Sequence, residues 1–264
     1  METTCCKSYD TDDVDAQFIY DNYFCAATDN DLRYELVDFP IKVIWKCVKL
    51  GFIKGDRLID LSVGSSLYQL VPCYKGFKDI TILEVNNGCI DDMEKWVKGE
   101  ANSYDWAHAI DFLAELEGCS DVSSWKDMEN DLRSRVTCIS KCDFSLKNPT
   151  EPNVLEQVDC IINLYVLGTC CKTIDDYSLK LNNMSTLLKL GGSLILVGGF
   201  HASYYTVNDE KFNILDFEKE DLLRILEDGG YRVEHIEVTE KKSSADFITY
   251  DSVFVVCAVK VREC

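Results

Sequence analysis

From Arg57 onward, short runs of aliphatic and β-branched residues alternate with longer segments of helical period, and few folds accommodate that alternation. The spacing predicts strands at Arg57–Leu61, Ile80–Val85, Val136–Cys142, Val158–Leu164, Ser193–Val197, Arg232–Val238 and Val253–Val259. Their near-continuous apolar character suits strands covered on both faces. Helices are expected between them at Cys89–Val97, Asp105–Leu116, Ser123–Arg135, Thr173–Leu188 and Glu218–Asp228, the last stopping at Gly229-Gly230. The expected fold class is therefore α/β: a mostly parallel, doubly covered sheet of Rossmann-like type. The final two strands are joined by Glu240–Thr249, too short for a crossover helix, which predicts an antiparallel hairpin at one edge.

The first 56 residues carry helical patterns at Val14–Phe24 and Leu32–Leu50 and no strand, so they read as a helical cap on a core spanning 57–264, all within one domain. Pro40 predicts a break near Phe39, followed by a helix ending at Gly51. Leu146–Gln157, with Pro149 and Pro152, reads as a surface loop.

The 46 acidic residues against 27 basic ones give a net charge of −19. Such a field repels phosphate backbones and anionic lipid head groups, so neither nucleic acid nor a membrane surface is an expected partner. The longest apolar runs, such as Ser193–Phe200, fall far short of the roughly 20 residues of a bilayer span. The N-terminus has no signal or transit pattern, so the expected location is cytoplasmic. Fourteen cysteines are spread along the chain without any Cys-x-x-Cys, which argues against zinc and for small buried hydrophobes, with Cys5, Cys6 and Cys264 as exposed thiols. His108, His201 and His235 have no partners at triad or metal spacing, and no metal is expected. Asp209, Glu210, Asp216, Glu218, Glu220 and Asp221 form an acidic cluster, read as a solvated face or as a field that attracts a cationic amine.

The stretch RLIDLSVGSS runs from a strand into a loop of small residues, Ser62, Val63, Gly64, Ser65 and Ser66. Loops of this kind let backbone approach a nucleotide-type ligand closely, although only one of the five is glycine. With it, the words KGDRLIDLSVGSSLYQL (54–70), EKWVKGEANSYDW (94–106), LAELEG (113–118), KCD (141–143), LLKLGGSLILVGGF (187–200) and ASYYTVNDEKF (202–212) fall in a distinctive order. In that order the chain resembles the nicotinamide, phenylethanolamine and indolethylamine N-methyltransferases from about Asp15 to Lys260. The resemblance implies a monomeric, cytosolic class I methyltransferase fold. It also implies that a methyl group passes from S-adenosyl-L-methionine (SAM), leaving S-adenosyl-L-homocysteine (SAH), to the nitrogen of a small amine or N-heterocycle. Methyl transfer is an in-line displacement, so holding donor and acceptor collinear and excluding water supply most of the catalysis. No acid or base residue is singled out as catalytic.

By the same resemblance, Glu84 at the end of the second strand would hold the ribose hydroxyls where the family usually has Asp, and Asp143, beside Cys142 and Phe144, would face the adenine amino group. Tyr68 would line the cofactor pocket, and Tyr204, with Ser203, would face the acceptor. Departures stand beside these matches. Ser62 replaces a glycine of the loop, leaving Gly64 between Val63 and Ser65. Two family tyrosines that bind the cofactor carboxylate align with Ile19 and Phe24, with Tyr20 and Tyr23 one residue away, where a small rotation or register change of the helix would present them to the cofactor instead. Cys89 stands where the family tends to have asparagine, and Gly168 and Gly198 (followed by Gly199) stand where it often has acids. Two functions follow: an N-methyltransferase with an altered acceptor pocket, or a non-catalytic relative that binds, stores or interacts.

Overall fold

A computed structural model describes residues 6–11, 13–100, 103–118 and 125–263 of the chain. Its strands are β1 (Arg57–Ser62), β2 (Asp79–Glu84), β3 (Val136–Lys141), β4 (Val158–Leu164), β5 (Leu188–Phe200), β6 (Tyr204–Val207), β7 (Glu210–Asn213), β8 (Tyr231–Glu240) and β9 (Ser252–Lys260). Seven of them form one sheet in the order β3-β2-β1-β4-β5-β9-β8. β1 pairs in parallel with β2 and β4, whereas β9 runs antiparallel between β5 and β8. This is the expected α/β, Rossmann-like architecture with its C-terminal antiparallel hairpin. The chain leaves β1 toward β2 and β3, then returns to β4 on the other side of β1. Open sheets of this kind bind ligands in the crevice above such a reversal, at the carboxyl ends of the strands.

The strands form because their side chains can be buried on both faces. Leu58, Ile59 and Leu61 are at most 1% exposed, as are Cys160, Ile161 and Ile162 of β4; complete burial of each aliphatic chain contributes about 1.5–3 kcal/mol. Eight of the described cysteines are likewise buried, and all the described ones are free thiols, as small hydrophobes in a packed core. Cys6 is half-buried, while Cys5 and Cys264 lie outside the described residues.

The N-terminal part holds α1 (Ala16–Ile19), capped by Asp15 and continued by a π-helical turn Tyr20–Phe24, then α2 (Asn30–Arg33), a second π-helical turn Tyr34–Asp38 and α3 (Phe39–Lys49). The break expected at Phe39 is absent. Pro40 lies in the first turn of α3, where its missing N–H is not needed, and the preceding π turn carries the backbone through in helical conformation.

The remaining helices are α4 (Asn87–Lys98), α5 (Ala107–Glu117), α6 (Trp125–Arg135), α7 (Val166–Cys170), α8 (Ile174–Ser185) and α9 (Lys219–Asp228). The expected start of α6 at Ser123 lies outside the described residues. The helix expected to reach Leu188 stops at Ser185, because Leu188 already pairs with Val158 and opens a β5 longer than the sequence pattern indicated. Neither α7 nor the β6–β7 hairpin was expected. The hairpin turns at Asn208-Asp209, both at positive φ (+48° and +66°), a geometry that favours Asn and Asp and matches the twist of two-residue hairpins.

Candidate active site

Two hollows flank the carboxyl ends of the central strands. The first lies above β1 and β2. Glu84, the last residue of β2, is 2% exposed; its Oε1 accepts the Asn86 N–H at 2.8 Å. Its Oε2 faces the phenol of Tyr9 at 3.1 Å. The same phenol lies 3.4 Å from Cys89 Sγ and accepts the Gly64 N–H at 3.0 Å. Tyr9 is fully buried and its carbonyl accepts from Asn86 Nδ2 at 3.1 Å. Desolvation dominates here, raising the Glu84 carboxyl to about 8 and pushing the Cys89 thiol and the Tyr9 phenol up as well.

The loop after β1 spends its side chains on itself. Ser62 Oγ donates to Ser66 O at 2.7 Å, Ser66 Oγ to Val63 O at 2.7 Å, and Ser65 Oγ to Cys89 O at 3.0 Å. Ser62 therefore projects no hydroxyl into the crevice, and its backbone stays extended. Gly64 takes φ +68°, and a Cβ there would stand 2.5 Å from Ile19 Cγ2. Ile19 thus packs directly on the one glycine of the loop.

The other residues expected around the cofactor point elsewhere. Tyr20 donates to Asp105 O at 2.7 Å and stacks on Tyr104, while Tyr23 donates to Thr206 O at 2.7 Å and receives the Thr206 N–H. Phe24 is buried against Tyr68, whose hydroxyl donates to Leu36 O at 2.6 Å. Asp143 is exposed and caps its own turn, accepting from the backbone N–H and hydroxyl of Ser145 at 2.8 and 2.6 Å. Cys142 is buried and its N–H donates to Glu84 O at 2.9 Å; Phe144 is buried and its carbonyl is held by Asn183. Of the expected cofactor residues, then, the structure brings Gly64, Glu84 and Cys89 together around Tyr9 in one cradle. Tyr20, Tyr68 and Asp143 turn their polar groups away from it.

The second hollow is a cavity of about 60 Å³ beside β4, β5 and β9. Its lining includes Ile19, which packs on Gly64 of the cradle, and Val63, with Tyr205, Phe217, Tyr250 and Phe254. Gly198 and Gly168 line it too. Gly198 is paired across the sheet with Phe254, whose ring would lie 2.7 Å from a Cβ at 198. That ring occupies the space a side chain at 198 would need. Tyr204 and Ser203 do not line the cavity: Tyr204 places its ring under Lys211 Nζ at 3.6 Å, and Ser203 Oγ meets Thr249 Oγ1 at 2.7 Å. Alternation along β6 sends Tyr205, not Tyr204, inward, and the Tyr205 hydroxyl is buried without a hydrogen-bond partner.

The cavity is walled partly by the segment before β9, which Glu35 ties to the N-terminal helices. This buried carboxylate accepts from the Lys242 and Ser243 amides, from Ser243 Oγ at 2.9 Å and from Tyr250 OH at 2.5 Å. No group of His, Cys, Asp and Glu able to hold a metal occurs among the described residues, nor does a helix long and apolar enough to cross a membrane. Of the acidic cluster, Asp209, Glu210, Asp216, Glu218 and Glu220 are exposed, and Asp221 serves the capping box of α9.

Tyr9, Tyr205 and Glu35 were missed by the sequence reading. Tyr205 was within reach, because Tyr205 and Val207 alternate with Tyr204 and Thr206 ahead of an Asn-Asp turn. Nothing local marks Tyr9, which sits in the polar run Lys7-Ser8-Tyr9-Asp10-Thr11, or Glu35, whose donors lie more than two hundred residues away.

A sheet of this order with a cradle at the ends of β1 and β2 defines the class of SAM-dependent methyltransferase folds. Solved structures agree. A SAM-dependent methyltransferase from Methanosarcina mazei superposes with a TM-score of 0.55 at 14% identity, covering 82% of this chain and 98% of that one. Magnesium protoporphyrin IX methyltransferase from Synechocystis, with bound SAM, gives 0.55 at 13% identity over 92% and 90%. Within that class the chain belongs to the NNMT/PNMT/TEMT family, whose sequence model matches residues 5–261. Indolethylamine N-methyltransferase of Oryctolagus cuniculus is 33% identical over 80% of each chain, and nicotinamide N-methyltransferase of Homo sapiens is 27% identical over 91% of this chain and 90% of its own.

Does the cradle suit the cofactor such relatives use? Its chemistry does. A buried carboxyl needs hydroxyl partners, and a loop amide needs an acceptor. A ribose offers both, and Tyr9 offers both in its place. The space does not fit while Tyr9 and Ile19 fill it.

Proposed function

We propose that this chain is an N-methyltransferase that uses SAM, with SAH as product, and acts on a small, uncharged N-heterocycle or other neutral aromatic amine. The observation that carries the reading is the apolar cavity walled partly by Ile19, which packs on Gly64 of the Glu84 cradle, so that an acceptor site adjoins a nucleoside site. When bound, the cofactor supplies an electrophilic methyl group. Glu84 and the Gly64 N–H would hold its nucleoside end, and the cavity would orient the acceptor nitrogen and keep water away. Charge selects the acceptor class. Glycines at 168 and 198 put no carboxylate beside the cavity from those positions, and a cationic amine buried there would lose its hydration without a counter-charge. A ring nitrogen that is already neutral enters without that penalty and needs no base. We further assign the protein a small-molecule substrate, a monomeric state and a cytoplasmic location, with no role in nucleic-acid or membrane binding. The acidic balance supports the last of these.

A second reading, a non-catalytic relative, is favoured by one observation: the cradle is filled by Tyr9 and Ile19 while Asp143 turns outward. Incubation with isotopically labelled SAM and a panel of acceptors separates the two. Transfer to neutral pyridine- or quinoline-type nitrogens in preference to alkylamines is the expected result. Transfer to no acceptor, under conditions where SAH binds, gives the second reading precedence.

A further inference from the structure

Residues Cys6–Asp10 lie against the β6–β7 hairpin and then cross to the cradle. The Lys7 N–H donates to Lys211 O at 2.9 Å and the Asn213 N–H to Lys7 O at 2.8 Å, so the segment continues the edge of the small sheet, and Lys7 Nζ pairs with Glu210. On the far side Asp10 Oδ2 lies 3.0 Å from Lys180 Nζ, which also donates to Cys170 O at 2.5 Å and whose side chain is only 10% exposed. Between these anchors the register leaves Tyr9 facing inward, fully buried, with its phenol on Glu84 Oε2 and the Gly64 N–H.

We propose that Cys6–Asp10 is a strap that makes the Tyr9 phenol an intramolecular competitor for the nucleoside end of the cradle, so that seating the strap and binding the cofactor are mutually exclusive. The inference rests on the SAM-dependent reading above, because the groups that hold Tyr9 are the ones that reading requires. Two occupants contend for one carboxylate and one loop amide. Withdrawal of the strap would free Glu84 Oε2 and the Gly64 N–H, which a ribose diol then engages. Since only the open fraction binds, a seated strap weakens apparent affinity in proportion to its population. The Asp10–Lys180 pair sets that population from outside the cradle, so the strap is a point at which binding can be controlled without altering the site.

The probe is SAH, titrated calorimetrically into the wild-type protein, Tyr9→Ala and Asp10→Asn, with hydrogen exchange of the Asn213 amide as a second readout. Competition predicts that both variants bind SAH about tenfold more tightly than wild type, or bind it where wild type does not. It also predicts that SAH speeds exchange at Asn213 by lifting Lys7 from the hairpin. Asp10→Asn leaves the Tyr9 ring in place and guards against a merely misfolded Tyr9→Ala. Unchanged or weaker binding in Asp10→Asn, or slower exchange on adding SAH, overturns the strap while leaving the SAM-dependent reading intact. Absence of binding in all three proteins overturns both.

Discussion

Above β1 and β2 a cradle of polar groups is filled by the protein's own side chains; beside β4, β5 and β9 a cavity stays open but carries few polar groups. The two meet at Ile19, yet they are closed and opened by different means. In the cradle, Tyr9 engages the second oxygen of a carboxyl that already accepts from Asn86, together with a loop amide, so filling it answers a polar need. In the cavity, Phe254 takes the space over Gly198, so its shape is set by aromatic packing across a strand pair. The lesson is that a polar hollow can be vacated for a ligand with matching hydrogen bonds, whereas a packed one is changed only by changing residues.

The largest test of that contrast is Gly198→Asp. A Cβ at 198 would meet the Phe254 ring at 2.7 Å, and the carboxylate would be buried among aromatics. Overpacking and an unpaired buried charge together are expected to destabilise the fold by about 3–5 kcal/mol, measured by urea unfolding. The double variant G198D/F254A removes the obstructing ring and should recover part of that loss while admitting cationic amines. If Gly198→Asp alone is neutral, the cavity wall yields more readily than the Phe254 packing implies.

A smaller effect belongs to the cradle. Burial raises the Glu84 carboxyl from its ordinary value to about 8, so the folded protein holds a proton there that the unfolded chain has released above about pH 4.5. Its contribution to stability is therefore greatest at low pH and is lost as pH rises through about 8, a change of at most a few kcal/mol. Glu84→Gln, a neutral isostere, should flatten that part of the stability–pH curve and leave stability near pH 6 within about 1 kcal/mol. The same substitution should weaken SAH binding about threefold to tenfold, because Glu84, protonated below about pH 8, offers the ribose a neutral hydrogen bond that the amide reproduces only in part. Parallel pH curves for the two proteins would show that Glu84 is not the buried acid the closed cradle makes it.

How far the chain could be read before its structure follows the same division. The sheet was legible because strand runs such as Val158–Leu164 and Val253–Val259 are apolar nearly throughout, and burial on both faces imposes that composition locally. Glu84 was legible for a similar reason, since an acid ending an apolar strand declares itself. What escaped depends on partners distant in sequence. The phenol of Tyr9 meets Glu84 across 75 residues, and no local pattern states that a tyrosine in an acidic run will be its partner. The choice between Tyr204 and Tyr205 failed at a one-residue register, which alternation could have decided had the hairpin been recognised. Pro40 misled because a proline in the first turn of a helix and one that breaks it look alike until the preceding turn is known.

The smallest expected effect is at Asp143, and it bears most directly on whether the filled cradle has an open counterpart. In this conformation the carboxylate is exposed and its Oδ1 serves only the turn to Ser145, an acceptor role that asparagine performs equally well. Asp143→Asn should therefore change stability by less than about 0.5 kcal/mol. Its effect on SAH affinity should stay under about threefold if the turn keeps its geometry when ligand binds. A loss of more than about tenfold, with stability unchanged, would mean that the side chain leaves its turn and faces the ligand. The loop after β3 would then rearrange together with the strap, and the closed cradle and its outward acid would be two parts of one conformation.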